Sequence, residues 1–155
     1  MKSTHVSTQL MSCNEVELHY KRPLFSSMRS ITSSQDANEI LRDYIHPYVL
    51  DVKEFFWTIF LSRANGVLAI STIGSGDISG VMVNIREILQ LTLLTNASHL
   101  IVAHNHPSGK LVPSERDRKI TKKLQQGLLL FDAKLLDHLI LTSENFFSFA
   151  DNGEL

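Results

Sequence analysis

The apolar stretch His99 to Ala103 runs without a break into HNHPSGKLVPSERD, residues 104–117. This junction constrains the chain more than any other feature. A short apolar run reads as a buried strand, the Pro and Gly after it force a loop, and Ser114 then opens a helix. Side chains alternate along a strand, so His104 and His106 share one face at its end and can hold one divalent cation. The returning helix can bring Asp117 back as a third ligand. Two histidines and one carboxylate leave a fourth position for water, the pattern of a catalytic rather than a structural zinc site. Two plainer readings stand beside this one. A bare H-x-H pair also occurs as polar residues at a loop mouth. S-x-x-D at a helix start is also an ordinary capping pattern, contributing about 1 kcal/mol.

The rest of the chain alternates between strand and helix signals. Val16, Leu18 and Tyr20 alternate with Glu17 and His19, the period of a half-buried strand. In the adjoining serine-rich stretch, Ser34 or Asp36 can cap a helix carrying Ala37, Ile40, Leu41, Tyr44 and Ile45 on one face, and Pro47 ends it. Phe55 to Leu61 and Val67 to Ile73 read as a central hairpin turned at Asn65-Gly66. GSGDISG (74–80) reads as a loop. Asn84 caps a helix to about Thr95 that is apolar nearly all round and is therefore expected to be buried. Ser114 opens a helix with Ile120, Leu124, Leu128 and Phe131 on one face, and Lys134 to Leu141 and Phe146 to Phe149 read as closing strands. Strands mixed with helices on this scale predict an α/β fold, a mixed sheet covered by helices.

Composition narrows the function classes. A chain of 155 residues is one ordinary domain, and 43% hydrophobic with 20% charged residues is the balance of a folded globular protein. The single cysteine, Cys13, can form neither an internal disulfide nor a paired-cysteine zinc site. Fifteen basic against sixteen acidic residues supply no overall basic footprint for nucleic acid. The basic cluster Arg116, Arg118, Lys119, Lys122 and Lys123 reads first as a solvated helix face, with phosphate or an acidic partner as the alternative. The N-terminus lacks a signal-peptide core, and no stretch approaches the roughly 20 apolar residues of a membrane span. The expectation is a cytoplasmic protein with no membrane association.

The order H-x-H-x7-S-x2-D, filled by His104, His106, Ser114 and Asp117, is the JAMM signature. The longer string HNHPSGKLVPSERDRKIT resembles the RadC family pattern HNHPSG…PS..D…T, with Thr121 in place. NEVELHYKR, ITSSQDANEILR, REIL and the late LDHLIL…FFSFA also look like their counterparts in short RadC-like proteins. The resemblance therefore covers nearly the whole chain after residue 13. It departs from the pattern where the family often has a proline before Arg86-Glu87, and GSGDISG does not align with it. The letters H-N-H are not an HNH nuclease motif, whose residues are widely separated.

Residues 1–13 are polar and unpatterned and read as a mobile arm. The resemblance implies a RadC-like JAB/MPN domain over 14–155, without the helix-hairpin-helix region of longer relatives. It implies a cytidine-deaminase-like, three-layer α/β/α sandwich with a mixed sheet. It further implies one Zn2+ per chain, held by His104, His106 and Asp117, and hydrolysis of an amide bond in a peptide or isopeptide-like substrate. Glu54, at the start of a central strand, is carried over as general base in preference to Glu87, and Ser114 as the oxyanion donor. Asp137-His138 resembles a pair the family carries on a late strand. It could support the site from behind, or be a half-buried pair only, and it stays outside the catalytic set. Activity could also require a partner protein or a homodimer. The alternatives are a non-catalytic JAB/MPN scaffold and a DNA-repair or DNA-processing accessory factor.

Overall fold

The computed structural model describes residues 16–76 and 82–155. Its regular elements, in chain order, are α1 (Ser34–Tyr44), β1 (Phe55–Leu61), β2 (Val67–Ser75), α2 (Ile85–Thr95), β3 (His99–Asn105), α3 (Glu115–Leu129), β4 (Lys134–Leu141) and β5 (Phe146–Ser148). The strands form one sheet in the order β2-β1-β3-β4-β5. It is mixed: β3 and β4 run parallel, joined by α3 as crossover, and every other neighbouring pair is antiparallel.

Alternation along the strands divides the core in two. Trp57, Ile59, Leu61, Ile101, Ala103 and Leu139 pack with Ala37, Ile40 and Leu41 of α1. Phe56, Phe60, Leu100 and Val102 pack with Ile88 of α2 and with Leu124 and Leu128 of α3. The sheet is thus sandwiched by α1 on one face and α2 and α3 on the other, the three-layer α/β/α arrangement expected.

The alternation breaks once in β4. Leu135 pairs with Leu100, but the next residue of β3, Ile101, pairs with Asp137, so Leu136 is an extra residue. Leu135 packs on the α2/α3 side, Leu136 against the α1 side, and Asp137 also borders the α1 side beside Ser33 and Ile101. This β-bulge re-aims the remainder of the strand. It puts His138 opposite Val102, on the α3 face.

Several sequence expectations need correction. Residues 16–20 form no strand: Val16 and Leu18 are exposed, and the segment touches the sheet through the Tyr20 hydroxyl, which donates to the Leu68 carbonyl at 2.9 Å. Alternation makes a strand only where a neighbour pairs with it, and among the described residues none does. The cap of α1 is Ser33, not Ser34 or Asp36. Ser33 Oγ accepts from the Asp36 N–H, and Asp36 answers as the other half of a capping box. In α2, capped by Asn84 as expected, the buried residues are Ile88, Thr92 and Thr95, while Leu93 is exposed. The threonine hydroxyls donate to carbonyls one turn back, Thr92 to Ile88 and Thr95 to Leu91, each at 2.7 Å, so they can be buried without loss. Phe131 lies beyond the end of α3 and is 42% exposed. β2 extends through Gly74 and Ser75, taking two residues from the expected loop. Residues 77–80 of that loop and the 1–13 arm lie outside the described residues. Among the described residues no helix is long and apolar enough to cross a membrane.

Candidate metal centre

The site forms where β3 ends and α3 begins. His104 is the penultimate residue of β3 and His106 comes two residues later, so both side chains leave the same face. Between them Asn105 points the other way and is fully buried. Its amide donates to the carbonyls of Leu50 and Lys53 and accepts from the Phe55 N–H. Ser114 caps α3 and Asp117 sits at its third position in a capping box. Asp117 is thereby turned back toward the strand end.

Three ligand-type groups converge. His104 Nε2 lies 3.0 Å from His106 Nε2 and 3.2 Å from Asp117 Oδ1, and His106 Nε2 lies 3.7 Å from Asp117 Oδ2. All the candidate ligand atoms fall within 4.8 Å of one another, and among the described residues this is the group of His, Cys, Asp and Glu that could hold a metal ion. His104 and Asp117 are buried and His106 is half-buried. Outer contacts orient them. His106 Nδ1 is 2.7 Å from the Lys110 carbonyl oxygen, which can only accept, so in the neutral ring the proton sits on Nδ1 and Nε2 offers a lone pair. Asp117 Oδ2 accepts from both the Ser114 N–H and hydroxyl, each at 2.7 Å. Burial pushes the Asp117 carboxyl up, but the hydrogen bond and charge at His104 and the two bonds from Ser114 outweigh it, holding the pKa well below the usual carboxylate range. The carboxylate is therefore ionised at neutral pH. A cation placed among these atoms would meet two imidazole nitrogens and an ionised carboxylate at once. The donor set fits a metal.

Behind the ligands is a contact that the sequence left undecided. His138 Nε2 lies 2.8 Å from His104 Nδ1, and His138 Nδ1 lies 2.7 Å from Thr121 Oγ1. His138 is fully buried, stacked on Phe149 and edge-on to Phe56. Burial, reinforced by His104, pushes its pKa well below the ordinary histidine value. Its neighbour Asp137 faces away, accepting from Ser148 Oγ and from the N–H groups of His138 and Ala150. The Asp-His pair thus splits across the sheet, the histidine to the site and the aspartate to the far face. The bulge at Leu136, which periodicity does not announce, decides which of the two faces the site.

The remaining two candidates lie close in the fold. Glu54, half-buried, immediately precedes β1, and its carbonyl accepts from the Gly76 N–H at 2.9 Å. Phe56 pairs with His104 in the antiparallel β1·β3 ladder, so the start of β1, with Glu54 before it, lies at the end of β3 that carries the histidines. Ser114 Oγ is occupied as a helix cap, accepting from the Asp117 N–H at 3.2 Å while its proton goes to Asp117 Oδ2. Glu87, the competitor of Glu54, lies in the first turn of α2, where its N–H is capped by Asn84.

A three-layer α/β domain with a His-His-carboxylate cluster at a strand end is, as a class, a candidate metal-binding α/β domain. Comparison with known proteins narrows this. The family model of the RadC-like JAB domain matches residues 31–154, and the chain belongs to that family. It is 41% identical over 127 residues to the UPF0758 protein YfjY of Escherichia coli, covering 81% of this chain and 77% of that protein. It is 40% identical over 126 residues to a UPF0758 protein of Flavobacterium johnsoniae, covering 81% of this chain and 54% of the relative. A UPF0758 protein of Chromobacterium violaceum is 38% identical over 150 residues, covering 95% and 64%. Against several of these relatives the chain spans about half to two thirds of their length.

Proposed function

We propose that the chain is a zinc-dependent hydrolase of amide bonds, a metallopeptidase or isopeptidase, with His104, His106 and Asp117 holding one Zn2+. The observation that carries this reading is the convergence of two imidazole Nε2 atoms and an ionised carboxylate at a strand end. Membership of the RadC-like JAB family supports it. When bound, the cation lowers the pKa of a water to about 7 and polarises a carbonyl. Glu54 takes a proton from the attacking water and hands it to the leaving nitrogen, so the carboxylate ends the cycle as it began. Ser114 exchanges its bond to Asp117 for one to the developing oxyanion. The substrate is a peptide or an isopeptide-linked chain.

The test begins with metal content of protein purified without added zinc. About one zinc per chain is expected, lost in His106→Ala and in Asp117→Ala. Glu54→Gln should keep the metal but lose roughly 100-fold or more in turnover of peptide or isopeptide substrates. A folded wild type that takes up no zinc overturns the reading and leaves a scaffold.

A further inference from the structure

We propose that Arg118 is a positioning residue: held by Glu154, its guanidinium fixes the Pro113 carbonyl and with it the loop 107–113, which joins His106 to the helix start carrying Asp117. The consequence for turnover rests on the hydrolase reading. The brace itself belongs to the metal-free chain.

The Pro113 carbonyl is one that α3 cannot satisfy. The Ser114 carbonyl accepts the Arg118 N–H at 3.2 Å and begins the helix ladder. Pro113 lies one residue outside it and is buried. A buried carbonyl needs a donor, and Arg118 Nη1 supplies one at 2.8 Å. One residue thus serves both sides of the cap, its backbone to Ser114 and its side chain to Pro113. At the other end of the loop, the Gly109 N–H donates to the His106 carbonyl at 3.0 Å.

What aims the guanidinium is remote in sequence. Its Nε and Nη2 meet the two carboxylate oxygens of Glu154 at 2.9 and 3.2 Å, a two-point grip that leaves Nη1 to Pro113. The nearer acid in sequence, Glu115, stands 3.7 Å away on an 83% exposed side chain and grips less well. Glu154 is itself held by the turn that follows β5. Its N–H donates to the Phe149 carbonyl at 2.8 Å, and Gly153 closes the turn onto the Ala150 carbonyl at 3.1 Å with a φ of +68°. Phe149 is fully buried against His138. Support therefore runs from the core through this turn to Glu154, Arg118 and the loop. Arg118 leaves the solvated basic face on which Lys119, Lys122 and Lys123 lie exposed.

The Arg118 and Glu154 side chains are 40% and 30% exposed, so their ion pair adds little to global stability. What it sets is local: how firmly the loop between two of the three candidate ligands is held.

The experiment is amide hydrogen exchange by NMR on the metal-free full chain. It is read at Gly109 and Ser114, whose N–H groups are hydrogen-bonded at 3.0 and 2.7 Å. Glu154→Ala should speed exchange at both by about tenfold, with the β3 amides and the urea midpoint nearly unchanged. Glu154→Gln, which keeps one accepting oxygen, should fall between Ala and wild type. Arg118→Lys keeps the charge but cannot grip Glu154 at two points and reach Pro113 together, so it should behave like Glu154→Ala. In an Arg118→Ala background, Glu154→Ala should add nothing further. Unchanged exchange in Glu154→Ala, or full additivity with Arg118→Ala, overturns the proposal. In the zinc-loaded chain, Glu154→Ala should keep about one zinc and lose roughly tenfold in peptide turnover. Wild-type turnover in that variant overturns the positioning role. A wild type with neither zinc nor turnover sinks the hydrolase reading alone, and the exchange rates still decide the brace.

Discussion

Asn105 Oδ1 accepts the backbone N–H of Phe55 at 2.7 Å, joining the middle residue of the H-N-H triplet to the first residue of β1. The same amide donates to the Leu50 and Lys53 carbonyls at 2.7 and 2.9 Å. One buried side chain therefore ties down the segment that carries Glu54, while its two neighbours belong with Asp117 to the candidate metal site on the opposite face. Asn105→Ala would strand three backbone groups and should destabilise the domain by roughly 2–4 kcal/mol. Metal affinity should change little, because neither histidine nor Asp117 bonds to Asn105, while turnover falls with Glu54 misplaced. Urea denaturation with a zinc titration checks both. A variant that loses zinc but keeps its stability would contradict this division of labour.

Ser114 has two assignable jobs, and a pair of substitutions separates them. Ser114→Ala removes a helix cap and should lower stability by about 1 kcal/mol. Ser114→Asn restores a capping oxygen and should recover that stability. If the hydroxyl also serves an oxyanion, turnover stays depressed in Asn, by roughly 100-fold or more. Recovery of both stability and turnover in Asn would reduce Ser114 to a cap.

Acid should weaken the metal-free fold from near pH 6.5 downward. Burial lowers the pKa of His138 well below its ordinary value and also lowers that of His99. As pH falls, unfolded imidazoles take protons near pH 6.5 while the folded ones do not, so the unfolded state gains protons first. Each such group contributes a slope of up to about 1.4 kcal/mol per pH unit. Denaturation midpoints in chelator from pH 7 to 5 should fall, and fall less in His138→Gln. A flat profile would contradict the burial argument.

Thr58 Oγ1, on β1, is buried and, among the described residues, has no hydrogen-bond partner. Thr58→Val keeps the branched shape and removes the unsatisfied hydroxyl. Stability should rise by about 1 kcal/mol, seen as a higher denaturant midpoint without a change in slope. A lower midpoint would mean that the hydroxyl is satisfied in solution.

Most of the element order was legible because the pattern is local. The β1/β2 hairpin, the Asn84 cap, the helix after Ser114 and β4 all come from spacing and turn chemistry. The His104, His106 and Asp117 cluster was legible for the same reason: a strand end, a short loop and a helix cap lie within 14 residues of chain. What failed depended on distant partners. Residues 16–20 alternate correctly but have no strand to pair with among the described residues, and α2 buries threonines because their hydroxyls bond back to its own carbonyls. The place of His138 is not legible in the sequence, since it depends on contacts with His104 and Thr121, 34 and 17 residues away, and on a bulge that no periodicity shows.

That bulge makes β4 a matter of odd and even. Were the strand to pair regularly with Leu136 kept, Leu136 would sit opposite Ile101 and Asp137 opposite Val102, on the α3 face. His138 would then turn to the α1 side, and a carboxylate would stand nearest the back of His104. Dropping Leu136 would do the opposite: the strand would straighten while Asp137 and His138 kept their present partners. In comparisons among homologues, a one-residue gap at this point would therefore be the harmless difference. An ungapped match in which the strand pairs regularly would be the consequential one. A relative could thus keep every letter of H-x-H-x7-S-x2-D and still differ at the centre those letters describe.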